Sequence, residues 1–300
     1  MTAKAIWMDG KLAGWDEATV HVTSFGLHYG IGFFEGIRCH PTPAGPAIFR
    51  LTDHVERLRR SMAIYGFEMP YPVEELVQAC KQVVSVNRLA DCYVRPIVFL
   101  GEGDNPIVAE FRTSVIATEQ GPLGGAGKEA GVRACISSFR RMSPNSIPPT
   151  AKATGQYLNS FLAEAEAINS GYEEAIMLND SGHVSDGWAH NVFAVIGGVL
   201  VTPPISAGVL PGITRDTIMT LAAEDGIEVR VRDLVRSELY LADECFLTGT
   251  AAGVVPVNSV DGRNIGPGKP GPLTVGLRDR LTQVVHGAVD AHPEWRESVD

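Results

Sequence analysis

The chain has 300 residues, 45% of them hydrophobic, and 35 acidic against 25 basic residues give it a formal net charge of −10. This apolar content suffices for a sizeable core, in one large domain or two of ordinary size. The acidic balance, without a long basic run, argues against nucleic acid as the main partner, because phosphate binding requires clustered lysine and arginine.

The sequence also bears on where the protein works. Residues 1–10 lack the apolar stretch of a signal peptide, and no segment approaches the ~20 apolar residues that span a bilayer. We therefore expect a cytoplasmic protein without a membrane partner. The five cysteines are scattered and form no Cys-x-x-Cys, which predicts reduced, mostly buried thiols and neither a disulfide framework nor a zinc site.

The first part of the chain alternates strand-like and helical segments. Strands are predicted at residues 5–8 and 20–22, and a helix is predicted to open at Thr52 and Asp53. Asp53 with Glu56 three residues later resembles a capping box, and apolar residues follow at helical spacing. A second amphipathic helix is predicted over residues 73–87.

Two β-rich runs, 92–100 and 113–118, come before a glycine-rich stretch that we interpret as a linker. The predicted division is a small N-terminal domain of residues 1–118, a linker of residues 119–127 and a large domain of residues 128–300.

The second part of the chain is predicted to mix short strands with helices. Helices are expected at 157–169, 213–223 and 277–289, and strands at 175–178, 192–196, 199–201, around 229 and at 244–247. The pattern predicts β-meanders without regular βαβ units, and hence the α+β fold class.

One lysine stands out, in the run Pro148-Pro149-Thr150-Ala151-Lys152-Ala153-Thr154-Gly155. The two prolines fix φ on the approach and Gly155 permits a close turn, so the Lys152 amine can be aimed at a fixed point. A desolvated amine attacks aldehydes, which is how lysines hold pyridoxal phosphate as a Schiff base. A solvated surface lysine is the competing interpretation.

Three segments could hold the phosphate of such a cofactor. The run 210–216 joins a Pro-Gly turn to the start of a helix, whose amides and Thr214 hydroxyl can bind an anion, although a plain helix cap explains it equally well. The small residues of 248–253 let a ligand approach backbone amides, or form an ordinary strand-end turn. Arg57 lies at the margin of an apolar helix face, and Arg59 and Arg60 compete with it for this role.

A pyridine cofactor also needs a carboxylate near its ring nitrogen, because a protonated ring is the better electron sink. Asp186 is the candidate, and a solvated turn residue is the alternative. The eight histidines form no His-x-His or His-Glu-x-x-His arrangement, so no metal site is predicted. The chain also has no Gly-x-Ser-x-Gly and no phosphate-binding Walker loop.

Read jointly, seven segments in order resemble the class IV, fold-type-IV pyridoxal-phosphate aminotransferases, and in particular the branched-chain amino acid aminotransferases. They include Phe-Glu-Gly-Ile-Arg at 34–38 and Leu-Pro-Gly-Ile-Thr-Arg at 210–215. The others are 20–22 with 27–30, 93–96, the Lys152 segment, 239–244 and 249–252. The resemblance implies a two-domain fold, with a small α/β domain and a larger pseudo-barrel domain. It also implies a homodimer or higher oligomer with its sites at the subunit interface.

The resemblance assigns cofactor roles to matching positions. Lys152 would form the Schiff base and then move the proton between the substrate Cα and the cofactor. Tyr157 would hydrogen-bond the phenolic oxygen of the ring. The implied cofactor-binding residues are Arg57, Lys152, Tyr157, Asp186, Ile213, Thr214 and Thr250.

The resemblance likewise assigns a substrate side. Tyr93 and the amides near Thr250 to Ala252 would bind the α-carboxylate, and Arg95 would bind the distal carboxylate of glutamate, the expected amino donor. The implied substrate-binding residues are Tyr29, Phe34, Gly36, Arg38, Tyr93, Arg95, Ala251 and Ala252. The expected activity is amino transfer between a branched-chain or related α-amino acid and an α-keto acid.

The chain departs from the family pattern where specificity is set. Asp186 stands where the family usually has glutamate, one methylene longer, and His190 replaces a residue that is often acidic. Glu119 and Gln120 follow 117–118, where branched-chain enzymes place aromatic residues. These departures keep a specialised biosynthetic transaminase open as an alternative. Further alternatives are an aminodeoxychorismate-lyase-like enzyme, a transaminase of D-amino acids or amines, and a cofactor-binding homologue without turnover.

Overall fold

The computed structural model describes residues 4–120 and 128–299, so residues 121–127 of the predicted linker lie outside the described residues. The strands are β1 (Ala5–Met8), β2 (Lys11–Gly14), β3 (Gly32–Phe34), β4 (Ile37–Thr42), β5 (Gly45–Phe49), β6 (Cys92–Leu100), β7 (Phe111–Glu119), β8 (Val132–Ile136), β9 (Glu174–Leu178), β10 (Val184–Gly187), β11 (Asn191–Ile196), β12 (Val199–Thr202), β13 (Val229–Val231), β14 (Glu244–Gly249), β15 (Gly253–Val260), β16 (Arg263–Asn264) and β17 (Arg296–Ser298). The α-helices are α1 (Phe25–Tyr29), α2 (Leu51–Ile64), α3 (Val73–Val86), α4 (Tyr157–Asn169), α5 (Ile213–Glu224), α6 (Arg236–Tyr240) and α7 (Pro272–Val285).

The chain divides into two compact units. The first comprises the described residues of Met1–Gly121, Ala151–Gly155 and Gln283–Asp300, and the second those of Pro122–Thr150 and Gln156–Thr282. The short segment Ala151–Gly155, which contains Lys152, therefore packs with the first unit although the chain on both sides of it belongs to the second.

The first unit is built on an eight-stranded sheet in the order β17-β5-β4-β6-β7-β1-β2, with β3 also paired to β6. Its described strand pairs are antiparallel. Helices α2 and α3 present apolar residues at helical spacing to a shared core, since Val55, Leu58 and Met62 of α2 are fully buried with Leu76 and Val83 of α3.

Two local predictions for this unit are wrong. Helix α2 begins at Leu51 after Arg50, so Asp53 lies inside the first turn, where its carboxylate pairs with Arg50 Nε at 2.5 Å instead of capping the helix. Residues 20–22 form no strand, and Val20 and Val22 are exposed. Residues 20–22 alternate between valine and histidine, as a strand does, but no described strand pairs with them.

The second unit contains a nine-stranded mixed sheet that closes on itself. The strands follow the order β10-β9-β8-β15-β14-β11-β12-β13, and β10 also pairs with β11, which closes a ring of the first six. This ring is the pseudo-barrel that the resemblance implied. The sequence predicted β-meanders without regular βαβ units, and it did not predict the two βαβ connections that the structure contains, where α4 and α5 connect the parallel pairs β8–β9 and β12–β13.

Two neighbouring carboxylates, Glu174 and the half-buried Glu164, lie where α4 covers this sheet. Glu174 of β9 is fully buried and forms an ion pair with Lys128 Nζ at 2.7 Å. Burial, together with the Glu174 charge, raises the pKa of Glu164 on α4 from 4.5 to about 7. The folded chain thus holds the Glu164 proton more tightly than the unfolded chain does, and stability falls as pH rises from about 4.5 to 7.

The variant Glu164→Gln is therefore expected to be more stable than the wild type at pH 8, by about 1 kcal/mol or about 2 °C in Tm, and no more stable at pH 4.5. Thermal unfolding followed by circular dichroism at both pH values measures the difference. Glu129→Gln, on an exposed residue, is the control and is expected to change Tm at neither pH. An equal gain at both pH values would contradict the assignment of the proton to Glu164.

Two further findings concern the cysteines and membrane spanning. All five cysteines are free and buried, as predicted. Burial raises the pKa of Cys245 to about 12 and that of Cys135 to about 11, so these thiols stay protonated near pH 7.

Within residues 4–120 and 128–299, no helix has the length and apolarity that crossing a bilayer requires.

Candidate active site

Lys152 is held by its backbone on both sides. Its N–H donates to Ser61 Oγ at 2.9 Å, and its carbonyl accepts the N–H of Phe34 at 3.2 Å. The next residue, Ala153, forms a β-bridge with Phe33. The segment that the two prolines stiffen is therefore bound to β3 and α2, which fixes the point from which the lysine side chain extends.

The Phe34 ring is shared by two cations. Lys152 Nζ lies 5.1 Å from the ring centroid and Arg95 Cζ lies 4.5 Å from it. Arg95 also donates to the Tyr93 hydroxyl at 3.1 Å. Gly36 is required beside them, because a Cβ at this position would overlap the Tyr93 hydroxyl. The structure thus brings five residues predicted for the site together in one unit.

Arg57 is buried on α2 and bonded to a residue that sequence reasoning did not select. Its Nε and Nη2 donate to the two oxygens of Glu35, each at 2.7 Å. Burial alone would raise the pKa of Glu35, but Arg57 and His54 together hold it well below its ordinary value. Glu35 is therefore an anion at neutral pH, and its charge balances that of Arg57.

Two further predicted substrate residues of this unit are Arg38 and Tyr29, and Arg38 lies opposite Tyr93 in the β4–β6 pair. Arg38 is buried on β4 and bonds Asp91 at 2.5 Å, while its Nε and Nη1 have no hydrogen-bond partner among the described residues. Tyr29 is exposed at the end of α1 and stacks on Phe25 with 5.9 Å between ring centroids. Their substrate roles stay predictions.

In the second unit, Asp186 is a buried carboxylate on β10 with fixed oxygens. Oδ2 accepts the N–H of Leu210 at 2.8 Å, and Oδ1 accepts from Asn191 Nδ2 at 2.8 Å. Arg141 Nη2 lies 3.8 Å from Oδ2. Burial raises the pKa of Asp186 above its ordinary value, against the opposing effects of Arg141 and the hydrogen bonds. Asp186 is thus a buried, oriented acid and not the solvated turn residue that was the alternative.

The predicted phosphate segments form a helix start and a strand turn. Ile213 and Thr214 are the first residues of α5, preceded by Gly212, where a Cβ would overlap the Asn191 amide. Thr250 lies in the turn 250–252 that joins β14 to β15 and includes Ala251 and Ala252. The first amides of a helix point away from it along its axis, and such a helix start attracts anions. Tyr157 begins α4 and is partly exposed.

His190, one of the departures from the family pattern, lies beneath this turn. A Cβ at Gly249 would lie 2.8 Å from the His190 Cδ2 atom, so glycine is needed there. His190 Nδ1 lies 3.4 Å from Glu174 Oε2, beside the Lys128 ion pair. The replacement at His190 thus places an imidazole beside both Gly249 of the predicted phosphate segment and the buried carboxylate of Glu174.

These groups match the chemistry of pyridoxal phosphate one by one. A held lysine amine suits its aldehyde, and a buried guanidinium and a helix start suit its phosphate. A buried, oriented carboxylate suits its ring nitrogen. The residues of each unit therefore fit the cofactor that the resemblance implied.

Sequence reasoning missed five residues that orient the predicted ones, namely Glu35, His54, Ser61, Arg141 and Asn191. Glu35 stands next to Gly36 in a segment that was already singled out, which was the available signal. Asn191 lies opposite Asp186 across the β10–β11 pair, so the short turn 187–190 was a second signal. The remaining three, His54, Ser61 and Arg141, contact residues that are far from them in the chain, and the spacing of residues in the sequence does not indicate such contacts.

The comparisons with known proteins cover nearly the whole chain. A family model described as Amino-transferase class IV matches residues 32–260. The chain is 44% identical over 304 residues to the branched-chain-amino-acid aminotransferase of Escherichia coli (strain K12), covering 99% of this chain and 98% of that protein. It is also 44% identical over 298 residues to the protein of the same name from Pseudomonas aeruginosa, covering 98% and 97%.

Solved structures show the same fold. The crystal structure of the Escherichia coli branched-chain amino acid aminotransferase matches with a TM-score of 0.95 and 42% identity over 100% of both chains. The branched-chain amino acid aminotransferase from Thermobaculum terrenum, solved in its PLP-form, matches with a TM-score of 0.93 and 35% identity, over 100% of this chain and 99% of that one.

Proposed function

The chain belongs to the class IV aminotransferases, and from this premise we propose that it transfers amino groups between branched-chain L-amino acids and α-keto acids, with glutamate as a donor. The observation that carries the proposal is Lys152, whose backbone is bound on both sides and whose amine lies beside Phe34 with Arg95. The relatives in Escherichia coli and Pseudomonas aeruginosa bear the name of this activity.

Pyridoxal phosphate, when bound, supplies an aldehyde for the substrate amine and a ring that accepts electrons. Lys152 would hold the cofactor covalently and, once released, would take the proton from the substrate Cα at Nζ and return it later. Asp186 would keep the ring nitrogen protonated, and Tyr157 would donate to the phenolic oxygen. The proposed phosphate ligands are Arg57, Ile213, Thr214 and Thr250.

The proposal for the substrate side depends on Arg95 and the Phe34 ring beside it, because together they can accept an acidic or an apolar side chain. Arg95 stacks on Phe34, so its guanidinium is positioned beside an apolar ring and can pair with the distal carboxylate of glutamate. An apolar side chain would contact the ring instead. The other residues proposed for the substrate side are Tyr29, Gly36, Arg38, Tyr93, Ala251 and Ala252.

We also propose that the protein works as a homodimer. Leu158, Phe161 and Leu162 of α4 share one helix face and are 73%, 68% and 48% exposed. Large apolar residues grouped in this way on a helix typically mark a protein interface. The cytoplasmic location stays a prediction from the sequence.

The test is a half-reaction with single donors. The purified holoprotein is mixed with L-leucine or L-glutamate, and the change in cofactor absorbance gives the rate for each. Both are expected to react in the wild type. In Arg95→Gln, the apparent Kd for glutamate is expected to rise about 10- to 100-fold, because a charge-assisted pair is lost, while that for leucine changes less than about threefold.

Arg60→Gln, an exposed arginine on α2, is the matched control and is expected to leave both donors unaffected. A protein that reacts with glutamate but not with leucine, isoleucine or valine would exclude branched-chain specificity and favour a specialised biosynthetic transaminase. Equal losses for both donors in Arg95→Gln would contradict the role given to Arg95.

A further inference from the structure

Glu35 uses both carboxylate oxygens on the same two residues of α2. Oε1 accepts from Arg57 Nε and Oε2 from Arg57 Nη2, each at 2.7 Å, which is a side-on, two-bond pair. Oε2 also bonds His54 Nδ1 at 2.7 Å. Because bidentate guanidinium–carboxylate pairs fix both distance and plane, Glu35 determines how the Arg57 guanidinium is oriented.

His54 holds the carboxylate from the other side. Burial lowers the pKa of His54 below its ordinary value, against the opposing effect of the charge and hydrogen bond of Glu35, and the charges of Arg57 and Lys152 lower it further, so the ring is neutral near pH 7. A neutral ring facing an ionised Glu35 donates its Nδ1–H. The three residues thus form a buried group in which the only net charges are those of Glu35 and Arg57, and these cancel.

Helix α2 and the backbone next to Glu35 also hold Lys152. His54, Arg57 and Ser61 are spaced three and four residues apart and so lie on one face of α2. Ser61 accepts the N–H of Lys152. Glu35 follows Phe34, whose N–H donates to the Lys152 carbonyl, and the Glu35 N–H donates to Pro96 O at 2.9 Å. Glu35 is therefore fixed in the backbone that also fixes the lysine.

We propose that Glu35 is a positioning residue for phosphate recognition: it sets the orientation of the Arg57 guanidinium before a phosphorylated pyridine cofactor arrives, and His54 prevents the Glu35 carboxylate from rotating. A guanidinium that is already oriented loses less conformational freedom when it binds a phosphate. The inference rests on the proposed function, since it takes Arg57 as a phosphate ligand.

The experiment compares pyridoxal phosphate with pyridoxal, which lacks the phosphate. The apo full-length protein is titrated with each compound, and the absorbance change gives Kd. Glu35→Gln is expected to raise Kd for pyridoxal phosphate at least about tenfold and Kd for pyridoxal less than about twofold, because only the phosphate contact depends on Arg57. Combining Glu35→Gln with Arg57→Ala is expected to weaken binding no further than Arg57→Ala alone.

Glu56→Gln is the matched control, because Glu56 also pairs with an arginine of α2, Arg59, but at an exposed site. It is expected to change neither Kd. If Arg57→Ala leaves the binding of pyridoxal phosphate unchanged, the proposed role of Arg57 fails. If Arg57→Ala weakens that binding and Glu35→Gln does not, or tightens it by removing a competing charge, the inference about Glu35 alone is overturned.

A second variant covers the case in which Glu35→Gln does not fold. Glu35→Asp keeps the charge but withdraws the carboxylate by one methylene, and is expected to show the same selective loss for pyridoxal phosphate. Folding of each apo variant is checked by circular dichroism. Equal losses for pyridoxal phosphate and pyridoxal, or wild-type binding in Glu35→Asp, would show that Glu35 does not act through the phosphate.

Discussion

Replacing Lys152 with alanine is expected to lower kcat for amino transfer about 10⁴-fold, the upper range of what a positioned acid–base group contributes. The variant loses the amine that binds the cofactor and the group that moves the Cα proton. The backbone contacts with Ser61 and Phe34 involve main-chain atoms of Lys152, so they are kept and the fold is expected to survive.

Absorbance and mass spectrometry measure the covalent attachment of the cofactor to Lys152 separately from activity. Borohydride treatment of the wild-type holoprotein is expected to fix the cofactor on the peptide containing Lys152, and to fix none on Lys152→Ala. Lys81→Ala, a partly exposed lysine of α3, serves as the matched control with full labelling and activity. Label on any other lysine, or a variant that keeps a tenth of the wild-type kcat, would refute the role of Lys152.

Asp186→Asn is expected to reduce kcat about 10²- to 10³-fold, as removal of one oriented electrostatic group does in other active sites. The amide carries no charge with which to keep the ring nitrogen protonated. Because one of its two terminal atoms is a donor, it also cannot accept from both Leu210 and Asn191 as the carboxylate does.

The measurement is kcat at saturating cofactor, with Kd of the cofactor and Tm recorded for each variant. Asp180→Asn, in an exposed turn, is the control and is expected to behave as wild type. Asp186→Glu is expected to retain activity, since it restores the residue type usual in the family. If Asp186→Asn kept full kcat, Asp186 would have no role at the ring nitrogen. If the wild type were inactive and Asp186→Glu active, the chain would be a homologue without turnover.

The sequence predicted the elements whose pattern is local. Helix α4 was predicted over the residues it occupies, and the strands at 92–100 and 192–196 to within one residue, because turn residues bound each apolar run. The parallel pairing of β8 with both β9 and β15 was not predicted, since these strands are far apart in the chain. Pairing of this kind depends on the whole sheet.

In the candidate site, too, some residues were predicted from the sequence and others were not. Lys152, Arg57 and Asp186 were selected from chemistry and from the family resemblance, and the structure places each in an ordered environment. Their partners Glu35 and Asn191 were not selected, although Glu35 accepts a hydrogen bond from Arg57 and Asn191 donates one to Asp186. The direction of a side chain is set by contacts between residues that are far apart in the sequence, such as Glu35 and Arg57, which are 22 residues apart. The periodicity of the sequence does not indicate such contacts.

The placement of Ala151–Gly155 in the first unit constrains how such an enzyme can be rearranged. A fragment ending at residue 120 would keep Glu35, Arg57 and Phe34 but would lack Lys152 and the bridge between Ala153 and Phe33. Chimaeras made by swapping halves between two relatives would therefore combine the lysine of one parent with the supporting strand of the other. Recombination that preserves the native contacts has to transfer three separate stretches of chain together.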